Sequence, residues 1–412
     1  MSLADVNLIL TINDTPVIVS PFFEVSCRPV CFMIIVAYIS FLLTVLYFIL
    51  MLLYRAGWQR QDTFVLQPDY LPQTKISVIV PARNEEAHIG NCIKSLRAQD
   101  YPDDLLEIIV VDDHSTDATA KIIQSFTGAN LHYIDLHKHI DANDAVVAYK
   151  KLALATGIVH AGGELIVTTD ADCTAGPQWL KHIAAIYEQD KSVMVVAPVD
   201  FACNCSTVQL FQSLDFMSMQ GITAATLQLK LGNMCNGANL AFQRTAYDKV
   251  DGYKGVDHIA SGDDYLLMMK LNKAYPGAIS YLKSQEAIVY TPPQHDWKGF
   301  LRQRIRWASK SGKYDDKKMT AVLSFVYLFN LLFVPMLVLS VLYPVYGIYL
   351  LAIFLVKVLV ELFYLYPVAS FFNKRIHLWL FPLFQPIHIS YIIIAGLLGF
   401  AGVYQWKGRS VR

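Results

Sequence analysis

Charge is what this sequence has least of. Charged residues make up only 17% of its 412 residues, against 54% hydrophobic, and an apolar share above that of ordinary soluble domains implies long uninterrupted apolar runs. Those runs lie toward the two ends of the chain, with most charges between them. Net charge is lacking as well: 34 basic and 34 acidic residues cancel, so no bulk field draws the chain to nucleic acid, and none is expected as a partner. Cysteines are few and show no pattern. The seven, an odd number, include no pair of Cys-x-x-Cys units, which argues against a disulfide framework or a zinc site and suits free thiols in a reducing compartment. A cleavable leader is not expected either, because the first long apolar run begins well inside the chain and shows no small-residue cleavage site, and the run reads as an uncleaved helix.

What is present, first, is helix of membrane length. Cys31 to Leu53 is almost wholly apolar and is bounded by Arg28, Arg55 and Arg60. At about 1.5 Å per residue it crosses roughly 30 Å of hydrocarbon. Three further spans follow at Ala321 to Tyr343, Val345 to Pro367 and Trp379 to Tyr404. The second of these carries Lys357 and Glu361, which are i,i+4 neighbours on one helix face. Charges at membrane depth face a bundle interior or a wet cavity, so two readings stand: a self-neutralising structural pair, or part of a substrate path. The positive-inside rule places Arg55, Arg60 and the long central segment in the cytoplasm, together with the loop bearing Lys374 and Arg375, and the N-terminal tail outside. A full crossing by the last span would put Lys407, Arg409 and Arg412 outside, against that rule. Pro382 and Pro386 interrupt its first half, so a re-entrant or interfacial course stands beside a full crossing. The tail with Asp5, Asp14, Pro16 and Pro21 has no periodicity.

The central segment alternates strand and helix. Ile76 to Val80, Glu107 to Val111 and Leu165 to Thr169 are short β-branched runs of the kind that form buried strands. Asn84 is placed to cap a helix whose apolar face holds Ile89, Cys92, Ile93 and Leu96. Ser115 or Asp117 is placed to cap a second helix, through Ile122 and Phe126, and Lys151 to Ala161 reads as a third. Strand and helix in alternation give βαβ units and a sheet covered on both faces, and ligands of such sheets bind beyond the carboxyl ends of the strands. After the first strand come Pro81-Ala-Arg-Asn-Glu-Glu86, after the second Asp112-Asp113-His114-Ser115, and after the third Asp170-Ala171-Asp172. Three acidic strand ends on one side make a cleft of fixed negative charge. An Asp-x-Asp there presents carboxylate oxygens to a hard divalent ion, whose shell phosphates commonly complete, and such an ion neutralises charge on a departing diphosphate.

These runs are similar to those of glycosyltransferase family 2, whose nucleotide-binding half is carried by Ile76 to Glu86 and by Val110 to Asp117. Gly163 to Asp172, Asn236-Gly-Ala-Asn-Leu240, Ser261-Gly-Asp-Asp264 and Gln303-Arg-Ile-Arg-Trp307 follow in the family's order. The resemblance covers roughly Lys75 to Tyr314, and the apolar flanks resemble the family's membrane-bound branch. It implies an α/β domain of GT-A fold, with a Rossmann-like mixed sheet, flanked by transmembrane α-helices. The expected layout is an extracytoplasmic tail at 1–30, a transmembrane helix at 31–54, a cytoplasmic GT-A domain at 70–297, an amphipathic interface helix at 298–318, C-terminal membrane helices at 319–404 and a tail at 405–412. The resemblance also implies a nucleotide-sugar donor. Asp113 or Asp112 would meet its base or ribose, with Pro81, Arg83 and Glu85 lining that pocket and Lys150 near the donor, where Tyr149 stands in place of the family's glycine. A divalent cation, Mg2+ or Mn2+, would be held by Asp172, with Asp170 on the ribose or the metal.

An acceptor hydroxyl needs a base during attack, and Asp264 matches the family's base. By local rules Asp263 is the N-cap of the helix that follows. Lys298 to Lys313 reads as a basic amphipathic helix at the interface, most of its charges meeting lipid phosphates. Within it the resemblance assigns Arg306 to the departing diphosphate, and Gln303 and Trp307, with Asn236, to the acceptor. His114, His160 and His295 read as structural. The implied reaction is a metal-dependent, inverting transfer of a hexosyl or N-acetylhexosaminyl unit, from a UDP-sugar first of all, to a lipid-linked or membrane-near saccharide acceptor at the cytoplasmic membrane. A processive synthase of a β-linked polymer is the alternative, and four crossings are thin for a private export channel. A transporter or scaffold with an inactive sugar-nucleotide domain would lack catalytic acids, and Asp172 and Asp264 are in place.

Overall fold

In the computed structural model the backbone is described for residues 8–12, 15–19, 21–139, 148–203, 206–232, 234–259, 262–309, 316–400, 404–406 and 409–411, with side chains described within 33–399. Asp5, Asp14, Ser261, Lys310, Lys313, Lys407 and Arg412 lie outside those ranges.

A hairpin of β1 (Leu8–Ile12) and β2 (Thr15–Val19) precedes α1 (Pro21–Arg60), one helix of 40 residues whose middle is the expected membrane span. The central domain runs through β3 (Ile76–Ala82), α2 (Ile89–Arg97), β4 (Leu106–Asp112), α3 (Thr119–Ser125), β5 (Leu131–Asp135), α4 (Tyr149–His160) and β6 (Leu165–Thr168). It continues through β7 (Thr174–Ala175), α5 (Trp179–Asp190), β8 (Met194–Val196), β9 (Val199–Phe201) and α6 (Thr207–Leu229). β10 (Leu240–Gln243), α7 (Arg244–Lys249), α8 (Asp263–Ala274), β11 (Ile279–Tyr281) and β12 (Val289–Thr291) complete it. The last part holds α9 (Trp297–Ala308), α10 (Lys317–Leu331), α11 (Phe333–Leu342), α12 (Val345–Phe371), α13 (Phe381–Phe400) and a hairpin of β13 (Tyr404–Trp406) and β14 (Arg409–Val411).

The main sheet has seven strands in the order β11-β8-β10-β6-β3-β4-β5. β6, β3, β4 and β5 run parallel, whereas β10 runs antiparallel to both β6 and β8, so the sheet is mixed. Ile76, Val78, Ile79 and Val80 are all fully buried, which is why β3 reads as a continuous apolar run rather than an alternating one. Even positions pack with Ile89, Cys92, Ile93 and Leu96 of α2, and Ile79 packs with α4 on the other face. There Gly157 lets the helix approach: a Cβ would lie 2.6 Å from Ile79 Cγ2. Register pairs Ala82 with Asp112 and Ile79 with Thr168, so the acidic segments after β3, β4 and β6 emerge along one edge.

Of the first two helix starts in the domain, one differs from expectation. α2 begins after His88, and Asn84 has φ 50°, in the left-handed region. Its Oδ1 accepts the Thr116 N–H at 2.8 Å and its own N–H donates to Ser115 Oγ; the short amide side chain that favours caps here braces two strand-end loops. For the second helix it is Asp117 whose carboxylate serves the first turn, accepting the Thr119 N–H at 3.0 Å.

Four helical stretches, Met33–Arg60, Lys317–Leu342, Val345–Phe371 and Arg375–Gly399, are long and apolar enough to cross a membrane. The second is divided at Leu332 into α10 and α11. The last stays helical through Pro386, contrary to the expected interruption, after a 3-10 turn over Arg375–Leu380. Pro382 lies in the first turn of α13, where a missing N–H costs nothing. Lys357 and Glu361 form an ion pair at 2.6 Å; Gln385 of α13 bonds to both, and Tyr47 of α1 donates to Glu361.

The sequence did not reveal α6. It packs against α1, α12 and α13 and lies between the sheet domain and the apolar helices. Lys283 donates to the Trp58 and Gln61 carbonyls at 2.9 and 2.7 Å, satisfying the C-terminal end of α1. Lys374, between α12 and α13, reaches Asp200 of β9 at 2.6 Å and Ser213 of α6 at 2.8 Å. At the α1–α6 crossing a Cβ on Gly57 would lie 2.8 Å from the Ala225 carbonyl oxygen, a backbone atom that cannot turn aside. Gly57→Ala should therefore cost about 1–3 kcal/mol and lower the melting temperature of the detergent-solubilised protein; an unchanged melting curve would contradict this crossing.

Candidate active site

Beyond the carboxyl edge of the sheet lies one continuous cavity of about 1020 Å³. Each strand-end loop delivers a part of its wall. From β3 come Pro81, Arg83 and Glu85; from β4, Asp113; from β6, Asp170 and Asp172. Lys150 enters from the first turn of α4, Asp263 and Asp264 from the first turn of α8, Asn236 from the loop before β10, and Gln303, Arg306 and Trp307 from α9. α10 and α13 add Leu323, Tyr327, Phe384 and His388, and α1, α6 and α12 add Tyr47, Phe211 and Glu361 among others.

The two acids after β4 have different surroundings. Asp113 faces the cavity, where Arg83 lies 3.7 Å from its carboxylate and donates to its carbonyl at 2.8 Å. Asp112 is 5% exposed and faces inward, accepting the Ser115 N–H at 3.3 Å. Burial raises the Asp112 pKa, the bonds from Ser115 oppose that, and the negative Asp135 and Asp113 add to it. His114, expected to be structural, has Nδ1 2.9 Å from Asp113 and packs edge-on against Tyr149 and tilted against His137. It stands in the left-handed region at φ 55°, which turns the loop so that Asp113 and His114 point the same way.

Lys150 ties two halves of the site together. Its ammonium is 2.7 Å from Asp170 and 3.3 Å from Asp263. Burial works against its charge, but Asp170 and Asp263, with Asp264 beyond them, outweigh burial and hold its pKa above the usual lysine range. The ammonium is therefore fully charged at neutral pH. Asp263 is thus an ion-pair partner in the first turn of α8; the helix is preceded instead by Gly262 at φ 81°. Asp264 accepts the Gly237 N–H at 3.2 Å and the Tyr265 N–H at 2.8 Å. A Cβ on Gly237 would lie 3.2 Å from the Asp263 carboxylate, a tight approach. Asn239, by contrast, is fully buried and binds the carbonyls of Pro198 and Ala287; it shapes the loop, while Asn236 faces the cavity.

The α9 helix is less interfacial than its sequence implies. Arg304 is 4% exposed and pairs with Asp215 of α6 at 2.5 Å, and Tyr391 of α13 also donates to Asp215. Its guanidinium covers the Trp307 ring at 4.2 Å. Phe300, Arg304 and Trp307 follow one another at helical spacing, and that shared face is the signal that could have marked Arg304 as inward.

The sequence pattern of glycosyl transferase family 2 matches residues 77–250, and that of glycosyl transferase family group 2 matches 165–401, more than half of the chain. The chain belongs to glycosyltransferase family 2. Among curated relatives of this family 2 chain, a probable glycosyltransferase, YdaM, of Bacillus subtilis is 28% identical over 243 residues, 57% of this chain and 54% of the relative. The glycosyltransferase AglE of Haloferax volcanii is 26% identical over 191 residues, 46% of this chain and 58% of the relative. The chain thus spans a little over half the length of these relatives. Among solved structures, the mannosyltransferase PcManGT of Pyrobaculum calidifontis, in complex with GDP-Man and Mn2+, superposes with a TM-score of 0.53 at 19% identity, covering 89% of this chain and 97% of that one. The fold is GT-A.

The donor set of the Asp-x-Asp suits a hard divalent ion. Ligand atoms of Asp170, Asp172 and Cys173 lie within 4.8 Å of one another, and two carboxylates give the oxygen-rich shell such ions take. Cys173 is buried, with its thiol 3.5 Å from Asp172. Because Lys150 competes for Asp170, Lys150→Met should tighten Mn2+ binding by roughly tenfold and Asp172→Asn should weaken it by at least as much, about 1.4 kcal/mol each. Electron paramagnetic resonance of free Mn2+ reads both; equal affinities in all three proteins would remove the ion from this site.

Proposed function

We propose that this chain is a membrane-embedded, inverting glycosyltransferase that moves a sugar from a nucleoside diphosphate donor, a UDP-sugar first of all, to a lipid-linked or membrane-near acceptor hydroxyl. The observation that carries the reading is the single cavity that holds Asp113, Lys150, Asp172, Asp264 and Arg306 and is walled on its other side by α10 and α13. Donor residues and membrane helices share one space, so an acceptor anchored in the bilayer has a route to the donor.

In this reading Asp113 and Arg83 hold the nucleoside, and Arg306 pairs with the diphosphate. A divalent ion at Asp170 and Asp172, when bound, neutralises charge on the leaving phosphates. Asp264 takes the proton of the acceptor hydroxyl as its oxygen forms a bond to the anomeric carbon. The bond from that carbon to the phosphate oxygen breaks on the opposite face, and the nucleoside diphosphate leaves with the electron pair. Single displacement of this kind inverts the anomeric centre. The carboxylate of Asp264 is held in place by the Gly237 and Tyr265 N–H groups.

The contact of Lys374 with Asp200 supports one membrane face for the α12–α13 turn and the catalytic domain, and the basic residues of that turn favour the cytoplasmic face. The membrane part of the cavity includes Tyr47, Glu361 and Gln385, which are bonded to one another across α1, α12 and α13. That closed network favours addition of one sugar or a short chain over threading of a long polymer.

Purified protein given a panel of nucleotide sugars, Mg2+ or Mn2+ and a membrane lipid extract should release nucleoside diphosphate with one donor. Asp264→Asn should slow that release by about 10²–10⁴-fold while nucleotide binding persists. Full activity in the Asp264→Asn protein would refute the assignment of the base, and product size would separate single addition from polymerisation.

A further inference from the structure

The transfer reading leaves the chemistry of the acceptor open, and the membrane end of the cavity bears on it. There the charged side chains come in closed pairs. Arg304 pairs with Asp215, which also receives the Tyr391 hydroxyl. Glu361 pairs with Lys357, and Gln385 bonds to both. His388 lies with Nε2 3.7 Å from Asp215. The surrounding wall is apolar, with Phe211, Phe384 and Ile392 among its residues.

Such a wall discriminates by charge. An anion brought into it would lose water and meet no uncompensated cation among the described residues at this end, which is costly in apolar surroundings. A hydroxyl has no such penalty if it finds hydrogen-bonding partners, and the site has some to offer. Thr223 of α6 and Tyr327 of α10 bring hydroxyls to its wall.

We infer that the membrane end of this cavity takes the polar head of an uncharged, hydroxyl-bearing amphiphile, a long-chain alcohol or glycoside, and discriminates against a lipid phosphate. The inference rests on the transfer reading for its meaning as an acceptor site, but the site itself is testable by binding alone.

The full-length protein in phosphatidylcholine nanodiscs would be titrated with radiolabelled tetradecyl glucoside and, separately, with tetradecyl phosphate. The glucoside should bind saturably and about tenfold more tightly than the phosphate, and Phe384→Trp, which fills the cavity, should weaken it. Asp215→Asn leaves Arg304 uncompensated and should shift the preference toward the phosphate by about tenfold. If that protein does not fold, as judged by its melting curve, Glu361→Gln makes the same imbalance around Lys357. Tighter or equal binding of the phosphate by the unaltered protein, absence of saturable glucoside binding, or an unmoved preference in the charge variant would overturn the inference. Failure of the transfer reading appears differently, as saturable glucoside binding without nucleoside diphosphate release from any donor.

Discussion

A guanidinium at 4% exposure has to be matched, and the pairing of Arg304 with Asp215 joins α9 to α6, between the sheet domain and the apolar helices. Leaving either charge buried alone costs about 3–5 kcal/mol, so the pair fixes α9 against α6 with little latitude. Tyr391 brings α13 to the same carboxylate. Three elements that are distant in sequence thereby meet at one point, and α9 is held with Arg306 and Trp307 turned to the cavity. Without that lock the strand-end carboxylates would face an open cleft rather than an enclosed space.

The polar side of the cavity is organised by a second electrostatic fact. Acidic loops after β3, β4 and β6 concentrate negative charge, and Lys150 spans Asp170 and Asp263 within it. That bridge links the loop carrying the Asp-x-Asp to the helix carrying Asp264. The carboxylates of the Asp-x-Asp and that of Asp264 are thus spaced by a charged side chain rather than by backbone alone. Any cation arriving at Asp170 must contend with an ammonium already there, which couples the two halves of the site.

Much of this was legible in the sequence, and the exceptions have physical causes. The three strands, the buried face of α2 and the four apolar helices follow from runs and periods that depend on local burial. β5 was missed because it is an edge strand with a mixed pattern, only Ile134 being fully buried in Leu131–Asp135. α6 was missed because partners cover it on several sides, so Gln212, Asp215 and Gln220 are buried along with Phe211 and Phe216; a helix without a solvent face has no amphipathic stripe to read. Asn84 and Asp263 have the side chains of cap residues, and each is engaged by a loop or a lysine that is remote in sequence. The three acidic strand ends were placed correctly on one edge, but which of Asp112 and Asp113 faces the cavity depends on the turn at His114. The inward face of α9 was hidden by composition: a stretch rich in arginine looks solvated until the carboxylate of α6 is known.

The uninterrupted course of α1 sets a limit on how this chain tolerates change. Its 40 residues make a rod of about 60 Å, and Gly57, Trp58 and Gln61 near its far end are fitted to α6 and Lys283. Adding or removing one residue within it would turn everything beyond by about 100° and shift it by about 1.5 Å, and the crossing at Gly57 has no slack to absorb that. With α1 embedded as proposed, accommodation to a thicker or thinner bilayer has to come from tilt of the whole molecule or from deformation of the lipid around it, since the rod itself cannot change its length.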